Sequence, residues 1–236
     1  MDKYLERFHL GYNKKQINKI SNLKILVIGL GGVGGYTCES LCRCGIKELV
    51  IMDNDIINES NLNRQIIATK TSIGKYKVEA LKERLESISN TKITCINDFY
   101  NQDSNYIDSS FDFVVDACDT ITSKLSIIKK WLNLNINFIS CLGTGNRKDP
   151  TKIKIEKLNK TNYCPVAKIL RKLIKEHNIN DNINVLWSYE QPFKQRKVYN
   201  INEKISKKRI PIASNSFVPA CAGLIITSYI IDYFSN

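Results

Sequence analysis

The chain has 236 residues, 43% hydrophobic and 25% charged, enough for one substantial core and outside the composition of a disordered chain. The formal net charge of +12 is unevenly placed, because positions 147–210 hold 17 Lys and Arg against 6 Asp and Glu, leaving 18 against 17 elsewhere. Genomic bias toward lysine explains abundance but not confinement, so one basic region suited to a polyanion is expected, and nucleic acid is its natural partner.

Residues 1–22 carry charges every few positions and no apolar run fit for a signal peptide. Lys24 to Gly29 is then a short apolar run ending in glycines, Tyr36 to Cys44 has helical spacing, and Glu48 to Asp53 is a second apolar run. The alternation predicts a helix over Lys75 to Ile88, strands at Lys92 to Ile96 and Phe111 to Asp116, a helix over Ser123 to Leu134 and a strand at Ile136 to Cys141. This is an α/β chain, a Rossmann-like and mainly parallel sheet flanked by helices with right-handed crossovers. Beyond Gly143 the pattern gives short strands at Ile153 to Leu158 and Val185 to Trp187, which extend the sheet, and a helix over Cys164 to Glu176. Lys194 to Lys208 reads as a mobile basic loop, and the apolar Phe217 to Phe234 as a helix covering the sheet rather than a membrane span. The whole chain, 1–236, is expected to be one domain: 1–22 as an amino-terminal segment, 23–143 as the nucleotide-binding core and 144–236 as a basic, substrate-facing half.

The first strand and first helix are joined by Gly29-Leu30-Gly31-Gly32-Val33-Gly34-Gly35, where Gly29, Gly31 and Gly34 have the spacing that lets backbone N–H groups approach phosphate at a helix amino end. Such a loop serves NAD, FAD and ATP alike; Asp53, ending the second strand, adds an acceptor for a ribose hydroxyl. Asn61, Arg64, Gln65 and Lys77 then bring two amides and two cations, and a dinucleotide has no γ-phosphate that needs them. Lys77 reads alternatively as a solvated helix residue. At the end of the fourth strand, Asp119 is a candidate to hold Mg²⁺ on the phosphates, the bland alternative being a helix cap. The eight cysteines include no Cys-x-x-Cys pair, so no zinc is expected and most are small apolar fillers in a reducing compartment. His9 and His177 lack any catalytic partner pattern and read as surface residues.

Asp53-Asn54-Asp55, Ser60 to Gln65, Gly74 to Lys77 and Asp116 to Asp119 follow the glycine loop in an order that resembles the ATP-dependent adenylating enzymes related to ubiquitin-activating enzymes and to activators of sulfur-carrier proteins. Asn63 to Ala68, Gly143 to Thr151, Cys164 to Lys168 with Arg171, and Ser214 to Pro219 resemble the tRNA threonylcarbamoyladenosine dehydratase branch of that ThiF-type superfamily. The resemblance implies that Gly32 and Asp53 contact the adenosine, that Asn61, Arg64 and Lys77 hold phosphates with Asp55 and Gln65 beside them, and that Asp119 sits by the metal. It further implies a homodimer, with Arg7 reaching the partner's ATP.

The reaction so implied is ATP-dependent adenylation of the threonyl carboxylate of the modified adenosine, followed by cyclising loss of water, and it requires no enzyme nucleophile. Cys164 is accordingly expected to be filler or a neighbour of the substrate rather than a thioester former. Arg147, Lys148, Lys168, Arg171 and Lys172 become candidates for tRNA phosphates. The location implied is cytoplasmic, without a membrane partner. Need for a monovalent cation or for a cysteine-desulfurase-type sulfur-relay partner stays open. So do two other readings: an activator of a small ubiquitin-like sulfur carrier, and an NAD-binding oxidoreductase or nucleotide sensor.

Overall fold

A computed structural model describes residues 2–134, 136–180, 182–195 and 212–236. Most of the segment expected to be a mobile basic loop lies outside the described residues. The strands are β1 (Lys24–Ile28), β2 (Glu48–Met52), β3 (Lys92–Ile96), β4 (Phe113–Asp116), β5 (Asn137–Cys141), β6 (Ile153–Lys157) and β7 (Asn184–Ser188). The helices are α1 (Glu6–His9), α2 (Lys14–Ile20), α3 (Gly34–Arg43), α4 (Lys77–Glu86), α5 (Ile121–Leu132), α6 (Pro165–Glu176) and α7 (Phe217–Ser235). Local chemistry sets several ends: Asn13 and Gln16 exchange side-chain to backbone bonds of 3.0 and 2.8 Å to start α2, and Pro165 opens α6 where its missing N–H has no partner to lose.

One seven-stranded sheet runs β3-β2-β1-β4-β5-β7-β6, parallel except for β6, which pairs antiparallel with β7. The strands β1, β2, β4, β5 and β7 are buried on both faces, so their successive residues feed two cores. Ile25, Val27, Leu49, Ile51 and Val115 join one cluster with α3, α4 and α7, while Leu26, Ile28, Val50, Val114 and Trp187 join the other with α5 and α6. The β6 edge carries Lys154, Glu156 and Lys157, charges that discourage pairing with another chain.

α7 is long and apolar enough to cross a membrane by composition, but Val218, Ala222, Ile226 and Ile230 are buried in the first cluster. A Cβ on Gly223 would lie 2.6 Å from Val33 O and 2.9 Å from Thr37 N, so glycine lets α7 seat directly on α3. Thr37 Oγ1 donates to Gly223 O, and Thr227 Oγ1 to Thr37 O, both at 3.3 Å. His177 is exposed as expected, but His9 is half-buried and its Nδ1 is enclosed.

Candidate active site

At the carboxyl edge of the sheet, β1 passes through the glycine loop into α3. Gly29 has φ 91°, and a Cβ there would meet the Ala117 and Cys118 backbone at 2.7 Å; a Cβ on Gly34 would fall 1.8 Å from Gly29 O. Both positions therefore need glycine for the turn itself. Gly31 has nothing within 4 Å of an added Cβ, so its side faces open space, and Gly32 lies against Pro219 at the start of α7. No side chain caps α3; the Gly35 N–H bonds Gly31 O at 3.2 Å, and the positive end of the helix dipole faces the loop.

Asp53, just past β2, accepts the Leu30 N–H at 2.7 Å through Oδ2 and the Asp55 N–H at 2.9 Å through Oδ1. Lys77 opens α4 and is only 5% exposed; its Nζ stands 2.5 Å from Asp55 Oδ2 and 3.6 Å from Asp53 Oδ1. It is not a solvated helix residue. Two carboxylates hold it beside the nucleotide loop, and an entering phosphate would compete with the exposed Asp55. Asn61 is buried and its Oδ1 accepts the Asn58 N–H at 3.0 Å, which fixes the turn leading to Arg64. Arg64 is half-buried and donates from Nη1 to Ser60 O at 2.7 Å and to Asn63 Oδ1 at 2.9 Å. Gln65 is buried with its Oε1 unpartnered among the described residues.

Asp119 is exposed beyond β4. Thr120, not Asp119, occupies the cap position of α5, and its hydroxyl is 3.3 Å from Asp119 Oδ1. Asp116 turns inward instead. Lys124, 1% exposed, sits 3.1 and 3.0 Å from its two oxygens and donates to Cys141 O at 2.6 Å, while Ser140 Oγ donates to Asp116 Oδ2 at 2.6 Å. Burial alone would lower the Lys124 pKa; the Asp116 carboxylate outweighs it and raises the value above that of an ordinary lysine. This cluster joins the carboxyl ends of β4 and β5 beneath Asp119. Sequence reasoning missed Lys124, and the available signal was a lysine entering the next helix eight positions after a strand-ending aspartate. Burial beside Asp116 pushes the Cys118 thiol well up, away from nucleophile chemistry.

Arg7 is exposed on α1. The neighbouring Leu5 fills the space beside Gly45, which follows the far end of α3, so a ten-residue helix, roughly 15 Å long, separates this corner from the glycine loop. Arg7 does not join the site of its own chain.

The basic candidates divide. Lys148, Lys168 and Lys172 are exposed. Arg171 is half-buried and bonds Leu158 O at 3.2 Å, Thr161 O at 3.0 Å and the Thr161 hydroxyl, tying α6 to the turn before it. Arg147, a candidate for tRNA phosphate near the sheet edge, is 2% exposed: the loop after β5 turns it inward, and Asn215 Nδ2 donates to its backbone oxygen at 2.8 Å. Asn63 Nδ2 donates to Ser214 O at 3.1 Å, so residues 214 and 215 connect the Arg64 turn to the Arg147 loop.

A model of the ThiF family matches residues 7–172, more than half of the chain and every nucleotide-side residue described above. The chain belongs to the ThiF family. This ThiF-family protein is 32% identical over 233 residues to the tRNA threonylcarbamoyladenosine dehydratase of Bacillus subtilis, covering 95% of this chain and 92% of that one. It is 33% identical over 246 residues to the Haemophilus influenzae protein of the same name, covering 98% and 94%. The structure of E. coli tRNA N6-threonylcarbamoyladenosine dehydratase, TcdA, in complex with ATP matches with a TM-score of 0.85 at 25% identity over 99% of this chain and 96% of that one. E. coli MccB matches with a TM-score of 0.64 at 18% identity, a likeness of fold.

Proposed function

We propose that this ThiF-family chain adenylates the threonyl carboxylate of threonylcarbamoyladenosine in tRNA and then cyclises the modification with overall loss of water. The observation that carries this reading is the buried Lys77 Nζ between Asp53 and Asp55, a cation set beyond a ribose acceptor where a triphosphate needs one, in a chain whose named relatives match it end to end. In the first step a carboxylate oxygen bonds to the α-phosphorus and pyrophosphate leaves; in the second, an atom of the carbamoyl group attacks the activated carbonyl and AMP leaves. Arg64, Lys77 and the α3 amides orient the phosphates and offset charge that builds on them. Asn61 and Gln65 order the turn carrying Arg64; Gly29 and Gly34 allow the loop's turn, Gly32 lets it lie against Pro219, and Gly31 leaves it open to the nucleotide.

Asp119 is exposed at the carboxyl edge with only the Thr120 hydroxyl on its carboxylate, a donor that fits Mg²⁺, which takes one or two protein carboxylates and completes its shell with phosphate and water. Asp119 would hold the ion, whose charge would ease departure of pyrophosphate. The distance of Arg7 from its own glycine loop supports a homodimer in which it serves the partner's site. Exposed Lys148, Lys168 and Lys172 would meet tRNA phosphates, and a tRNA substrate supports a cytoplasmic location.

The test is exchange of labelled pyrophosphate into ATP, run with modified tRNA, unmodified tRNA and a small sulfur-carrier protein. Exchange with modified tRNA alone is the expected result, together with mass-spectrometric detection of the cyclised nucleoside. Exchange only with the carrier overturns this reading, as does calorimetric binding of NAD without ATP.

A further inference from the structure

Among the described residues the fold buries three cations. Lys77 and Lys124 each meet carboxylates, whereas Arg147 forms no ion pair. Its Nη2 donates to Tyr163 O at 2.9 Å, while Nε and Nη1 are enclosed without an acceptor among those residues. Glu190 is the acid whose charge reaches Arg147, but it makes no ion-pair contact with it and accepts instead the N–H groups of Lys148 and Asp149, each at 3.0 Å. A charged donor held dry with no acceptor in contact is costly unless an anion arrives to meet it.

The guanidinium is anchored at the amino end of α6, a twelve-residue helix. Cys164 occupies its cap position without a side-chain bond and Pro165 has no N–H, so the amides of Val166 and Ala167 begin the helix without intrahelical partners. A Cβ on Gly143 would come within 3.2 Å of Val166 Cγ2, so the loop leaving β5 lies directly against this helix end. Tyr163 and Asn146, with φ of 51° and 56°, turn their chains to bring Arg147 and the helix together. Partial positive charge from α6 and the formal charge of Arg147 therefore converge.

The place of this convergence matters. Asp53 and the glycine loop put the nucleotide over β2 and β1; β5 lies two strands from β1 on the other side, roughly 10 Å away at ordinary strand spacing. On the function proposed above, with the nucleotide over β2 and β1, that side is left to the acceptor. A backbone phosphate stays on the RNA's exterior, where surface lysines meet it; an interior seat with one charge suits a single small terminal anion.

We propose that Arg147 and the amino end of α6 form the seat for the acceptor's carboxylate, the group to be adenylated. This rests on the function proposed above. The seat orients the carboxylate toward the nucleotide and selects an acid over its neutral derivatives.

The experiment uses the full chain and three anticodon stem-loop RNAs: one carrying the threonylcarbamoyl group as free acid, its methyl ester, and the unmodified stem-loop. The wild type should bind the acid about 10- to 100-fold more tightly than the ester. Arg147→Gln should bind acid and ester alike, with ATP affinity retained as the check on folding, and Arg147→Lys should recover part of the preference. Three results overturn the seat: no acid preference in the wild type, an acid preference unchanged in Arg147→Gln, or weakening of all three RNAs alike in that variant, which would make Arg147 a ligand of RNA phosphate. A wild type that does not distinguish modified from unmodified RNA overturns the substrate reading itself, and the seat with it.

Discussion

The Asp53 carboxylate holds the Leu30 N–H at 2.7 Å, so the second strand clamps the nucleotide loop that leaves the first. Asp53 thus shapes the glycine loop, a role beside the one proposed for it as ribose acceptor. Asp53→Ala should weaken ATP binding by about 10- to 100-fold and lower stability by about 1–3 kcal/mol, because a backbone donor loses a charged partner. Calorimetry and denaturant unfolding read the two effects. Unchanged ATP affinity would show that the clamp is structural only.

Lys77→Met keeps the apolar stem and removes the charge, leaving the exposed Asp55 free to hydrate. Pyrophosphate exchange should drop by about 10²-fold or more in this variant, with a native circular dichroism spectrum. Arg64→Ala should behave likewise. Near-normal turnover in either would place the phosphates elsewhere.

The Lys124–Asp116 pair is fully enclosed, so Lys124→Met should cost about 3–5 kcal/mol by stranding a buried carboxylate. The folded Lys124 pKa is raised, so its contribution is complete below the unfolded value near 10.4 and fades as pH rises through the folded one. Wild-type stability should fall in that alkaline window with a slope the variant lacks.

Glu39 makes the opposite prediction. Burial raises its pKa, but Arg84 at 2.6 Å and Arg43 at 2.7 Å outweigh that effect and leave it lowered. Its contribution is present above the unfolded value near 4.3 and is lost as pH falls through the folded value. Glu39→Gln should flatten acid unfolding there; identical curves would show that the ion pairs contribute nothing.

Replacing Lys148, Lys168 and Lys172 together by Ala should reduce the slope of log affinity against log salt by about 0.7–0.9 for each phosphate that is no longer neutralised. Filter binding across a salt series checks this. A flat response in the wild type would refute an electrostatic role for this face.

The alternation of apolar strands and helical repeats was enough to predict β1 to β5 and the intervening helices, because the inner parallel strands, buried on both faces, must be largely apolar. The nucleotide loop and Asp53 were legible for a related reason: a tight turn without Cβ atoms and a strand-ending carboxylate leave local marks on sequence. Pairing between distant segments leaves none. That β7 inserts between β5 and an antiparallel β6, that Asp116 is consumed by Lys124 while Asp119 stays open, and that Arg147 turns inward while Lys148 stays outside were all decided by packing. Residue type alone identified the charges of the basic half; only the tertiary fold separated the guanidinium enclosed at the amino end of α6 from the lysines left in water.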